Sequence, residues 1–298
     1  MPLDVELKPV ERLLFRSDVV AIGSFRCPAT HPLFRDSGPC THHTFVFPRT
    51  ATVIRHDGGT PFTATPNCVT LYNQNQGYSR SKISSVDACD WYVVADDVLF
   101  AAAGPAAAGR ARPFAETHVA IASPTYIRQR QLFDRVRSGT IEPFEVDEEV
   151  LGLLDRVLGS GQASGLGPQA SDCGWSVPRP DACGPRPVSP RLREKVETAK
   201  RLIAVSPGRT IPLRELAAAA GSSPFHLCRA FRTLTGMSMT AWRHSIRLRL
   251  SLDLLHDRRD LSAVAMDLGY ASHSHFTATF RRHFGITPSS YRLSVIGC

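Results

Sequence analysis

No apolar run in the chain approaches the roughly 18 residues that a membrane-spanning helix requires. The opening MPLDVELKPV lacks the basic-then-apolar layout of a secretory signal. These two absences predict a cytoplasmic protein with no membrane partner. Eight cysteines are present, but no pair has the Cys-x-x-Cys spacing of a zinc finger or a thioredoxin-like site. In a reducing compartment they are expected as thiols, several of them buried as small hydrophobes. No Ser/His/Asp constellation, phosphate-cradling glycine loop or metalloprotease motif occurs. The chain is therefore not expected to be an enzyme or to carry a cofactor.

What is present is length and basic charge. The 298 residues suffice for two domains, each with its own core. The net charge of +8 is unevenly placed. From Arg191 onward there are 17 Lys and Arg against 7 Asp and Glu, a net of +10, while the preceding residues carry −2. A basic surface confined to the C-terminal third suits nucleic-acid phosphate better than an acidic small molecule.

That basic third contains one phrase twice. LRELAAAAGSSPFHLCRAFRTLTGMS runs from Leu213 to Ser238, and LSAVAMDLGYASHSHFTATFRRHFGITP from Leu261 to Pro288. Each copy has a short helix with a small residue at its fifth position, Ala217 or Ala265, which lets a second helix cross closely. A glycine suited to a left-handed turn follows, Gly221 or Gly269. Then comes a serine able to cap the next helix, Ser223 or Ser272. Both copies continue into Phe-Arg and close on glycine, at Gly236 and Gly285. This is helix-turn-helix grammar, in which the second helix enters the DNA major groove. The two turns stand 48 residues apart and differ by one residue in length. At these residues, and in the run RLRLSLDLL (Arg247–Leu255) and the tail GITPSSYR (Gly285–Arg292), the chain resembles the AraC/XylS family of transcriptional regulators.

Periodicity over 190–298 predicts helices at Pro190–Ala204, Leu213–Ala220, Ser223–Leu234, Thr240–Leu255, Leu261–Leu268, Ser272–Phe284 and Pro288–Leu293. Leu216, Leu227, Phe231, Val264, Leu268, Phe276, Phe280 and Phe284 are assigned to the core. The exposed side of each second helix is assigned to DNA: Phe225, Cys228, Arg229 and Arg232 in the first copy. In the second copy they are His273, Ser274, Thr277, Arg281 and Arg282. Arg229 is the strongest base reader, because a guanidinium makes paired bonds to guanine O6 and N7. Ala278 departs from the family, which often has a base-reading side chain there; the second copy is therefore expected to anchor phosphates more than it reads bases. The connecting helix should place the two units in successive major grooves, about 10 bp apart.

The first hundred residues read as short strands, at Val19–Phe25, His43–Arg49, Thr52–Arg55, Cys68–Asn73 and Asp90–Ala95. The residues themselves indicate only a β-rich module; the resemblance implies a cupin-like barrel holding a small-molecule effector. His31, Arg35, His42, Tyr72, Tyr78, Arg80 and Trp91 are the candidate effector contacts. Cys40 and His42 share a strand face, but the usual cupin metal motif is missing and no metal is assigned. Ala101–Pro113 reads as a loop or a poor helix.

Ser123, as N-cap, and Pro124 open a helix ending at Gly139, and a second helix runs from Pro143 to Leu158. The resemblance implies that such a pair forms a homodimer; packing on the barrel is the alternative. The Gly/Pro/Ser-rich stretch 159–189 reads as a flexible linker that lets the DNA-binding unit reorient. The expected architecture is thus α+β with two domains. Residues 1–158 are a cupin-like sensor with a helical pair, and 190–298 an all-α DNA-binding domain. Double-stranded DNA, RNA polymerase, an effector and a second copy are the partners implied. Two rivals stay open: a bifunctional protein with a metal-dependent cupin half, and a ligand-free regulator controlled by a protein partner.

Overall fold

The computed structural model describes residues 2–36, 38–104, 112–162, 189–256 and 260–296. Most of the 159–189 linker, with Cys173 and Cys183, and Cys298 lie outside the described residues.

The N-terminal half is built on strands β1 (Glu11–Arg16), β2 (Val20–Pro28), β3 (Thr44–Pro48), β4 (Thr52–His56), β5 (Phe62–Ala64), β6 (Cys68–Tyr72), β7 (Tyr78–Lys82), β8 (Val86–Val94) and β9 (His118–Ala120). They form two antiparallel sheets, ordered β1-β2-β8-β3-β6-β9 and β5-β4-β7. Among the described residues no ladder joins the sheets, so the expected barrel is observed as two separate sheets. Sheet period 2 sorts the larger sheet's side chains into two cores. Val20, Ile22, Phe45, Phe47, Tyr92 and Val94 face the helices. Ala21, Phe25, Val46, Trp91 and Val93 face the smaller sheet.

Helix α1 (Asp96–Ala103) covers the start of the small-residue stretch; residues 105–111 lie outside the described ones. Helices α2 (Ser123–Ser138) and α3 (Pro143–Gln162) form the expected pair. Ser123 does not cap α2. The N-cap is Ala122, with no side-chain bond, and the Ser123 hydroxyl instead lies 2.8 Å from His283 Nε2 in the C-terminal half. The acidic start of α3 makes cross-helix ion pairs. Glu149 takes two bonds from Arg128, at 2.7 and 2.8 Å, and Glu145 pairs with Arg135 at 2.7 Å.

The C-terminal half contains α4 (Pro190–Val205), α5 (Leu213–Ala219), α6 (Pro224–Thr235), α7 (Met239–His256), α8 (Leu261–Asp267), α9 (His273–Phe284) and α10 (Pro288–Ile296). Its two helix-turn-helix units do not share one core. Leu216, Leu227, Phe231 and Trp242 of the first pack with α4. Val264, Phe276, Phe280, Phe284 and Tyr291 of the second belong to a continuous core that also contains Tyr92, Tyr126, Phe133 and Val150 of the N-terminal half. The second unit is therefore embedded against the sheet and helix pair.

Polar bonds reinforce that seam. Asn67 donates to the Trp242 carbonyl at 3.1 Å and accepts from Ser245 Oγ at 2.9 Å. Arg249 of α7 is buried and donates to the carbonyls of Pro66 and Ile121. Burial pulls its pKa down to about 10. Asp134 of α2 lies 2.8 Å from His256 Nε2 and accepts from the Tyr291 hydroxyl at 3.2 Å. Apolar and polar contacts alike thus join the C-terminal half to the N-terminal half.

Candidate nucleic-acid interface

Each helix-turn-helix unit is closed by local chemistry. Ala217 and Ala265 are buried at the helix crossings. Gly221 and Gly269 take φ of 57° and 72° in the turns. At Gly269 a Cβ would come within 2.7 Å of the Gly208 carbonyl, so the site excludes a side chain by contact as well as by conformation. Ser223 Oγ accepts from His226 N at 3.3 Å, and Ser272 Oγ from His275 N at 3.1 Å. These caps satisfy backbone donors at the two helix starts and set the angle at which α6 and α9 leave their turns.

The residues assigned to DNA fall on two outward faces. Phe225, Cys228, Arg229 and Arg232 are exposed on α6, with Phe225 at 69%. His273, Ser274, Arg281 and Arg282 are exposed on α9; Thr277 is half-buried, its hydroxyl 3.3 Å from His273 Nε2. Among the described residues none of Arg229, Arg232, Arg281 and Arg282 takes part in an ion pair. A groove between α4 and α6, lined by Lys195, His226, Arg229 and Thr233, continues the first basic face.

Two arginines of the signature run are not available to phosphate. Arg247 is buried with its guanidinium 4.0 Å from the Tyr270 ring centre, and Arg249 is buried in the seam. Their charge counts toward the basic C-terminal third but serves packing. The sequence contained no local signal for this burial.

A cavity of about 90 Å³ lies between the two sheets. His42, Tyr72, Tyr78, Arg80 and Trp91 line it, together with Lys8, Glu11, Cys40, Cys89 and Asp87. His31 and Arg35 do not. His31 caps a short turn by accepting from Leu33 N at 3.2 Å, and Arg35 is exposed. Arg80 and Asp87 pair at 2.9 Å inside the wall. Burial pushes the Cys40 thiol up to about 12 and the Cys89 thiol well above its usual range, so both are neutral at pH 7. Among the described residues the buried Trp91 indole N–H has no hydrogen-bond partner. Cys89, Lys8 and Glu11, the last at the start of β1, were not among the effector contacts expected from the sequence; alternation from Trp91 along its strand would have added Cys89. Among the described residues, no three His, Cys, Asp or Glu side chains converge as metal ligands.

Two helix-turn-helix units braced by one 18-residue helix define a bipartite helix-turn-helix module. A family model described as a helix-turn-helix domain matches residues 216–294. The chain is 40% identical over 74 residues to the regulatory protein SoxS of Salmonella typhimurium, covering 24% of this chain and 69% of SoxS. It is 35% identical over 113 residues to the HTH-type transcriptional regulator RipA of Corynebacterium glutamicum, covering 38% of this chain and 34% of RipA. The chain thus spans about a third of RipA's length. It is also similar to the solved structure of ToxT from Vibrio cholerae, with 12% identity and a TM-score of 0.35, over 94% of this chain and 100% of ToxT. The chain belongs to the AraC/XylS family of transcriptional regulators.

Proposed function

We propose that this protein is a sequence-specific DNA-binding transcriptional regulator whose N-terminal half binds a small-molecule effector. The observation that carries the DNA reading is the pair of exposed helix faces, each presenting arginines that pair with no carboxylate among the described residues, and both mounted on α7. One protomer would read an asymmetric site whose two halves lie about 10 bp apart, in successive major grooves. RipA, named an HTH-type transcriptional regulator, and SoxS, named a regulatory protein, support the same reading.

The cavity supports the effector reading. Its two-sheet surround is the cupin-like element of this proposal, and the indole N–H of Trp91 would donate to an acceptor on the ligand. Phe144 on α3 is 74% exposed, which supports the helix pair as the surface for a homodimer. RNA polymerase is the further partner that transcriptional control requires, and the cytoplasm is the compartment where both meet the DNA. No catalytic step is assigned, and the metal-dependent rival lacks a converging ligand set among the described residues.

The test is selection of duplexes from a random pool by the full chain, followed by titration at several salt concentrations. Enrichment of one bipartite motif supports the reading; binding of all duplexes alike overturns it. On the selected duplex, Arg229→Ala is expected to cost about 1–3 kcal/mol and to relax preference at one position. Arg282→Ala is expected to weaken binding evenly across site variants and to reduce the log–log salt slope by about 0.9. Equal weakening at every site variant by Arg229→Ala would remove its assignment as a base reader.

A further inference from the structure

Strand β8 is the partition between the cavity and the helices, and its alternation gives it two faces. Cys89, Trp91 and Val93 point into the cavity. Asp90 points the other way and is fully buried. There it accepts from Gln129 Nε2 at 2.8 Å and pairs with Arg49 Nε at 2.7 Å. Arg49 directly follows Pro48, another wall residue. Its Nη1 reaches Asp253 Oδ1 on α7 at 3.1 Å. The same oxygen pairs with Arg130 Nη2 of α2 at 2.8 Å. An unbroken chain of charge contacts therefore runs from the cavity wall to the helix that braces both DNA-reading units.

We infer that Asp90, Arg49, Asp253 and Arg130 form the relay by which occupancy of the cavity changes DNA affinity. The inference rests on the reading of the cavity as the effector site and of α6 and α9 as DNA readers. Apolar neighbours tolerate small sliding, but charge pairs with a buried partner, as Asp90 and Arg130 are here, are sensitive to the separation of their charges. A ligand that displaces Trp91 moves β8. Asp90 then drags Arg49, and the shared oxygen of Asp253 must either follow or give up one of its two guanidinium partners. Because α7 carries a helix-turn-helix unit at each end, a small rotation of it alters the spacing of α6 and α9. The relay residues are positioning residues and touch neither DNA nor ligand.

A double-mutant cycle on the full chain tests this without knowledge of the effector. Trp91→Phe perturbs the cavity wall, and Asp253→Asn opens the far end of the relay. Dissociation constants are measured on the duplex selected by the wild-type protein. Trp91→Phe is expected to change the constant at least about threefold in the wild-type background and less than about 1.5-fold in the Asp253→Asn background. Asp90→Asn supplies a second relay variant should Asp253→Asn fail to fold, as judged by its thermal unfolding. An equal effect of Trp91→Phe in both backgrounds overturns the relay, as does no effect in either. If the wild-type protein selects no duplex, it is the DNA reading that fails.

Discussion

Replacing Phe280 by alanine is expected to destabilise the whole protein by about 3–5 kcal/mol, in a single transition. Phe280 is fully buried, with ring centres at 5.7 Å from Phe276, 4.7 Å from Phe284 and 6.4 Å from Tyr291. Truncation leaves a cavity that this aromatic cluster cannot fill without leaving its rotamers. The same core continues through Tyr126 and Phe133 to Tyr92 and Phe45, so the defect should be felt in the N-terminal sheet. Phe231→Ala is the contrast. Phe231 packs on Trp242 at 5.7 Å within the separate core of the first unit. It should loosen α4 to α6 and leave exchange protection in the sheet largely intact. Hydrogen exchange on both variants is the measurement. Unchanged protection of β3 and β8 in Phe280→Ala would mean that the seam does not unite the two halves.

That division between the units explains what was legible in the sequence. Helix-turn-helix units are specified within about 25 residues, by caps, a small crossing residue and a left-handed glycine, so Ser223, Ala217 and Gly221 could be read one after another. Strands β2, β3, β4, β6 and β8 were legible from apolar or alternating runs. Strand β7, YSRSK, was not, because Arg80 occupies an inward position where a hydrophobe is expected. Strands β5 and β9 are three residues each and carry too little pattern. The seam was wholly illegible. Asp90 and Asp253 meet through Arg49 across a span that no local period connects. The serine at 123 offered a local role as cap, which its tertiary bond to His283 overrode. A polar linker suggested mobility, yet docking is decided by the faces of the folded halves, and those faces appear only after folding.

Arg130→Met is the substitution with the largest expected effect at the seam, about 3–5 kcal/mol at pH 7.5. Arg130 is fully buried and pairs with Asp253. Burial alone would raise the Asp253 carboxyl, but the guanidinium groups of Arg130 and Arg49 outweigh it and hold it below the usual range. At Asp134 burial also pushes upward, and the bond from His256 with the charge of Arg130 reverses it. Carboxyls with lowered folded pKa supply stability that is present above about pH 4 and lost as pH falls through the folded value. Methionine keeps the length and flexibility of the side chain but not the charge. In the variant both carboxyls lose the lowering influence of Arg130 and keep that of Arg49, so burial pushes them upward, and a carboxyl whose folded pKa moves up contributes less as pH rises. The two trends have opposite sign, so the gap between wild type and variant should be widest at neutral pH and close to about half by pH 4.5. Urea unfolding at pH 7.5, 6.0 and 4.5 reads this directly. A deficit independent of pH would mean that Arg130 contributes by its packing, and that the Asp134 and Asp253 carboxylates do not depend on its charge.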